Sequence, residues 1–416
     1  MNERTAAWLR RKFRIYYSRL PKDQITTPRL SLREFGITSF TRKGMLRHLS
    51  FHDRADLLGF LGRRGPSRVY HSCAYYRQAN SKENGMKGKG WMGADLVFDI
   101  DCDHLAGAAS MSYEEQLELA RRQLVRLYDE FLMGDFGFDP KDMQIVFSGG
   151  RGYHVHVRDQ RIMDLNSAAR REIVDYISGT GLALAFAEPK PGKLGYVDWT
   201  YPHVDEPGWK GRIGRGLPSM LAEATEKGVQ EYFREQAEAH DLEATTKFVS
   251  SLERSTNQAM ARDPLHPPLT FFLPKEVDFL LELLKRQKRV QLTYGGEVDG
   301  PVTYDVHRLI RMANSIHQST GFRVVELDRD QLDGFTPFQH AVVFHEEEPM
   351  LVDIREDVQL RLAKWDMTLK AGRQDIPEGA ALHLCLRGKA ELPQDVTVET
   401  VGKAGEITGS REHVNS

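Results

Sequence analysis

An α/β fold of the α+β kind, a mixed sheet flanked by helices, follows from three observations. Residues 94–101 alternate as a strand and end in two carboxylates, Asp99 and Asp101. Residues 145–158 read as an apolar strand, a glycine turn and a further strand. Between them, Ser112–Met133 has helical spacing (Leu117, Leu124, Leu127, Phe131) and opens with Ser112 and Glu115 placed as a capping box. A strand–helix–strand crossover is the natural link between two such strands.

Strand side chains alternate between faces, so Asp99 and Asp101 point the same way, about 7 Å apart at Cα. Leu96, Phe98 and Ile100 then cover the opposite, core-facing side. Two carboxylates so spaced can hold divalent metal ions; the bland alternative is a solvated strand face. Asp95 and Asp103 extend the acidic face, and that much negative charge repels itself unless cations offset it. In the turn, Ser148-Gly149-Gly150-Arg151-Gly152 matches neither a Walker loop nor GxGxxG. Its glycines let backbone N–H groups approach an anion, and Arg151 offers a charge-assisted grip on phosphate. An ordinary hairpin carrying an arginine is the plain alternative. His154, His156 and Arg158 share one face of the strand that follows.

Along the rest of the chain, periodicity predicts a helix at 4–20, a strand at 30–35, an interrupted helical run at 45–61 and a strand at 69–76. Residues 78–91 read as a loop, 167–186 as a helix and 192–216 as loop-rich. Residues 218–290 are charged and helical, an inserted subdomain within a core of 1–217 and 291–340. Residues 290–294 look strand-like, and 306–313 a short helix with Arg308 and Arg311 on one face, just after Asp305. A strand is expected at 322–327. Residues 341–392 read as β-rich, including 381–387, and 393–416 as a weakly ordered tail.

Composition, 40% hydrophobic and 28% charged, is that of a soluble enzyme. No apolar run approaches the roughly 18 residues that cross a membrane, and no secretory signal is readable. Three scattered cysteines, Cys73, Cys102 and Cys385, form no disulfide framework, so a cytoplasmic location is expected. The formal net charge is only −2, yet residues 1–70 hold 16 Lys/Arg against 5 Asp/Glu. Such a local basic excess can be a footprint for nucleic acid, or simply a solvated surface.

Val97-Phe98-Asp99-Ile100-Asp101, Ser148–Val157, and Asp305 followed by Arg308-Leu-Ile-Arg311 and Ser315-Ile-His317 resemble, in that order, the small catalytic subunit of archaeal and eukaryotic DNA primases. The resemblance covers most of residues 1–330 and takes in Arg33-Glu34-Phe35-Gly36 and Tyr75-Tyr76. It implies primer synthesis on a single-stranded DNA template from nucleoside triphosphates, by nucleotidyl transfer at two Mg²⁺ or Mn²⁺ ions. Asp99, Asp101 and Asp305 match the metal-binding catalytic aspartates. Ser148, Gly149, Arg151, His154, Arg311 and His317 match positions that hold the nucleotide. A heterodimer with a large primase subunit is implied, with no membrane attachment. Many relatives carry a zinc knuckle after the aspartate pair. Here Cys102 and His104 are not followed by further cysteine ligands, so no structural zinc is expected. Gly150 stands where eukaryotic relatives place a second arginine. A primase-like polymerase that extends existing ends, a metal-dependent nuclease and a non-catalytic nucleic-acid-binding module are the alternatives.

Overall fold

The computed structural model describes residues 1–83, 87–102, 108–181, 188–191 and 197–394. The chain opens with helix α1 (Glu3–Arg19), capped by the Asn2 side chain on Thr5 N–H, which buries Trp8, Leu9, Phe13 and Tyr17. Strands β1 (Phe35–Thr38) and β2 (Met45–Leu49), helix α2 (Arg54–Arg64), and strands β3 (Arg68–Ser72) and β4 (Ala74–Tyr76) follow. Next come β5 (Trp91–Ala94), β6 (Leu96–Asp101), α3 (Tyr113–Arg126), β7 (Met143–Phe147), β8 (Gly152–Val157) and α4 (Ser167–Ser178). The predicted capping box at Ser112 and Glu115 starts α3, and a π-helical turn, Leu127–Asp135, prolongs it.

After the hairpin β9 (Glu188–Pro191) and β10 (Val197–Thr200) the chain is helical. Its helices are α5 (Gly208–Lys227), α6 (Val229–Ala239), α7 (Thr246–Arg262), α8 (Pro274–Arg286), α9 (Arg289–Tyr294) and α10 (Gly300–Tyr304). Strands β11 (Leu309–Arg311) and β12 (Val325–Leu327) return to the body. The C-terminal part holds α11 (Pro337–His340), β13 (Pro349–Ile354), β14 (Val358–Leu362), β15 (Trp365–Leu369), β16 (Gly372–Pro377), α12 (Glu378–Leu386) and β17 (Ala390–Glu391).

The central sheet runs β12-β7-β8-β6 and a second sheet β11-β3-β1-β2. All ladders among the described strands are antiparallel. Strands β6 and β7 nevertheless run the same way, because each is antiparallel to β8 between them. That is the crossover the sequence asked for, with a strand slotted into its middle and α3 packed on β6 and β8. One continuous core joins α1, the central sheet, the α5–α9 helices and the C-terminal elements.

Several elements differ from their sequence reading. Residues 45–61 split into strand β2 and helix α2, whose start is fixed by Asp53 capping Ala55 and Asp56 N–H. Helix α5 begins at Gly208 and carries Pro218 inside it, so helix extends into the predicted 192–216 loop. Residues 290–294 are helical and Leu309–Arg311 is a strand, the reverse of expectation in both places. Residues 381–386 belong to α12, where Glu378–Leu386 are buried on every side. A short run apolar all round carries no period to separate helix from strand. His104, Asp103 and residues 395–416 lie outside the described residues. Among the described residues, no helix is long and apolar enough to cross a membrane.

One buried ionic knot ties the second sheet to the start of β6, and another ties it to the residues before β5. Arg33 donates to Asp95 at 2.8 Å and to the Ser72 carbonyl, while the Tyr75 hydroxyl donates to Asp95. Glu34 accepts from Lys89 at 2.5 Å and from Arg47 at 3.0 Å. Burial alone would raise the Asp95 carboxyl, but Arg33, with His156 and Arg158, holds it well below the carboxylate range. Asp95 is therefore a structural anion, spent before the acidic strand face begins. Arg33, with Tyr75, joins the second sheet to the start of the central one.

Candidate active site

A cavity of about 740 Å³ opens between the ends of the two sheets. Asp99, Asp101, Ser148, Gly150, Arg151, His154, Arg311 and His317 all line it. Three segments far apart in sequence thus meet. Asp99 and Asp101 stand at alternate positions near the end of β6, directly opposite His154 and Gly152 of β8.

The turn between β7 and β8 is held in place by its own backbone. Ser148 N–H donates to the Gly152 carbonyl at 3.0 Å, and the Ser148 Oγ accepts from Gly150 N–H at 3.2 Å. Gly149 has φ +78, and a Cβ there would stand 2.7 Å from the Cβ of His317. Gly152 is needed for a different reason: its Cβ would meet the Ile100 carbonyl oxygen at 2.1 Å. The turn is thereby pressed against both the acidic strand and the His317 loop. The Thr320 hydroxyl donates to the Gly149 carbonyl at 2.6 Å, and the Tyr113 hydroxyl to that of Gly150 at 2.5 Å.

Both site histidines are neutral at physiological pH. Burial, then His156, Arg311 and Arg308, keep His154 well below its ordinary value. Its Nε2 lies 3.4 Å from Asp99 Oδ1, and its Nδ1 is buried without a hydrogen-bond partner among the described residues. Burial, then Arg311, Arg68 and Arg151, push His317 down to about 2. Its Nδ1 accepts from Ser319 N–H at 3.3 Å, so the proton sits on Nε2, the nitrogen facing Gly150.

The basic wall is larger than the sequence indicated. Arg311 lies over the Tyr70 ring at 5.3 Å, with its Nη1 buried and without a partner. Burial lowers its pKa, while Tyr70, Tyr17 and Asp99 pull the other way and Arg68 adds to the drop. Arg308 and Arg387 also line the cavity, Arg387 arriving from the end of α12. Tyr70, Tyr113, Thr320 and Arg387 carried no sequence signal. The strand pairing Arg311↔Tyr70 brings Tyr70 in, and the packing of the C-terminal part brings Arg387.

Like Asp299, Asp305 does not line the cavity. Its carboxylate accepts from His307 N–H at 2.9 Å, and its carbonyl lies 3.6 Å from the Cys73 sulfur. The Cys73 carbonyl in turn accepts from Asp95 N–H. Asp305 thus sits beside Cys73, whose carbonyl is paired with the residue just before β6. Asp299 is the residue brought to Asp99: its N–H donates to the Asp99 carbonyl at 2.8 Å. Helix α10 packs on β6 and separates the two candidates, carrying the chain away by about 7.5 Å. Among the described residues, no three His, Cys, Asp or Glu side chains lie close enough to share a metal ion. Mg²⁺ commonly takes only one or two carboxylates and completes its shell with substrate phosphates and water, so an all-oxygen pair fits it. The Cys102 sulfur is turned to the carbonyls of Gln116 and Arg151, 2.7 Å from each.

Paired carboxylates facing arginines, histidines and a glycine turn across one cavity define a nucleotidyltransferase. The chain matches the DNA primase small subunit family over residues 98–329. It is 37% identical over 405 residues to the DNA primase small subunit PriS of Methanothrix thermoacetophila, covering 94% of this chain and all of that one. The PriS proteins of Methanocella arvoryzae and Haloarcula marismortui are each 35% identical, over 94% of this chain and 99% of their own lengths. The chain belongs to the DNA primase small subunit family.

Proposed function

We propose that this chain is the catalytic subunit of a DNA primase, joining nucleoside triphosphates into short primers, of RNA or of RNA and DNA, on single-stranded DNA. The observation that carries this reading is the shared cavity, with Asp99 and Asp101 on one wall and Arg151, Arg311 and His317 on the other. Asp99 and Asp101 would hold Mg²⁺ or Mn²⁺, and Asp299, joined to Asp99 through the backbone, is the nearer further carboxylate in preference to Asp305. Bound ions of this kind lower the pKa of an attacking 3′-hydroxyl and offset charge on departing pyrophosphate.

The chain's own residues do the rest. The Ser148–Gly152 turn and Arg151 seat the triphosphate, its oxygens taking the place of missing partners on the buried guanidinium of Arg311. Neutral His317 donates its Nε2 proton to a phosphate oxygen, and these fixed donors need no reorganisation as charge builds. His154 steadies the Asp99 carboxylate from the adjacent strand. A large primase subunit as partner and cytoplasmic action in replication go with the same reading.

The test is labelled nucleotide incorporation on an unprimed single-stranded template with Mn²⁺. Asp99→Asn/Asp101→Asn abolishes synthesis; wild-type synthesis by that variant would refute the assignment. A protein that extends primed templates but never starts on unprimed ones would be an end-extending polymerase instead.

A further inference from the structure

The second sheet leads out of the cavity to another one. On one face its side chains Phe35, Ile37 and Val69 are core. The opposite face carries two cross-strand rows, Arg311–Tyr70–Gly36 and Arg68–Thr38–Met45. The Arg311 end of these rows is the wall of the catalytic cavity. The Met45 end lines a separate cleft of about 370 Å³ with Arg10, Arg42, Lys43 and Arg64.

Gly36 joins the two. A Cβ built there would stand 2.9 Å from both the Leu309 Cδ1, which lines the catalytic cavity, and the Met45 Sδ, which lines the cleft. Gly36 is buried beneath those two side chains, so the walls of the two cavities approach within about 6 Å across Leu309 and Met45. The span from β11 to β2 is three strand spacings, about 14 Å. Among the described residues, no carboxylate lines the cleft. Arg42, Lys43 and Arg64 are exposed and have no acidic partner among the described residues, whereas nearby Arg47 is spent on Glu34. Exposed Met45 and Leu46, at 39% and 47%, lay apolar surface beside the cations. Positive charge that tracks a backbone, with apolar and aromatic surface for bases, is what a single strand needs. Four of the sixteen Lys/Arg of residues 1–70 line this cleft.

We infer that this cleft, Arg10, Arg42, Lys43, Met45 and Arg64 continuing over Gly36 to Tyr70 and Arg311, is the seat of the single-stranded template. The inference rests on the primase reading and locates the template within it. The test is fluorescence anisotropy of a labelled oligodeoxynucleotide across a salt series. Losing two phosphate contacts in Arg42→Gln/Lys43→Gln reduces the slope of log affinity against log salt by about 1.4, and weakens binding roughly tenfold at 0.15 M salt. Arg122→Gln/Lys141→Gln removes equal charge from exposed positions elsewhere and leaves the slope unchanged. A photocrosslinker on Met45→Cys captures the oligonucleotide, since the three native cysteines are buried. Slopes identical to wild type in Arg42→Gln/Lys43→Gln, or no capture at position 45, overturn this surface while leaving the primase reading intact. Wild-type protein that binds neither nucleotide nor single strand overturns both.

Discussion

Gly152→Ala isolates how much the site depends on one close backbone approach. The new methyl would sit 2.1 Å from the Ile100 carbonyl oxygen and 2.9 Å from the Asp101 Cα, both main-chain atoms. Contacts under 3.0 Å do not occur, so β8 and β6 must part by about 1 Å just where Asp101 faces Arg151's neighbour. Overpacking of this kind costs about 1–3 kcal/mol. Its catalytic effect is of the same order, because a displacement near 1 Å of reacting groups lowers rate about a hundredfold, about 2.7 kcal/mol.

The assay pairs primer-synthesis kcat with thermal unfolding, and Gly137→Ala is the control. Gly137 has φ +64 but nothing within 4 Å of a built Cβ, so alanine there adds backbone strain alone, about 1–2 kcal/mol. The expected outcome is comparable loss of Tm in both variants, with kcat falling only in Gly152→Ala. If Gly152→Ala retains wild-type kcat, the claim that this contact sets the site is refuted.

Three more outcomes follow from the geometry. Asp299→Asn abolishes incorporation while Asp305→Asn, altered only at its own turn, keeps most of it; steady-state rates with Mn²⁺ decide between them, and the reverse order restores Asp305. Arg387→Gln raises the KM for nucleoside triphosphate about tenfold, a charge-assisted hydrogen bond's worth, with nucleoside monophosphate binding little changed. Burial, then Arg387, lower His383 to about 4 against 6.5 unfolded, so its stability contribution is whole above pH 6.5 and lost as pH falls towards 4. That is about 3 kcal/mol, and His383→Gln should flatten the acid limb of a urea-midpoint profile by that amount.

The acidic strand and the glycine turn were readable because each is a local pattern. Alternation puts Asp99 and Asp101 on one face whatever they pack against, and glycines at 149, 150 and 152 announce a turn before its neighbours are known. What could not be read depends on partners. Residues 306–313 have arginines at helical spacing, yet Leu309–Arg311 becomes a strand because β3 offers it an edge. Helix α12 has no polar face to betray its period, being enclosed by β13, β16 and β17. The third carboxylate shows the same limit most sharply. Asp299 and Asp305 lie at either end of a five-residue helix, and nothing local distinguishes them. Only the packing of that helix along β6 sets Asp299 beside Asp99 and leaves Asp305 beside Cys73. A choice between two similar residues one helix apart is therefore made by tertiary contact, and the pair of asparagine variants reads that contact directly.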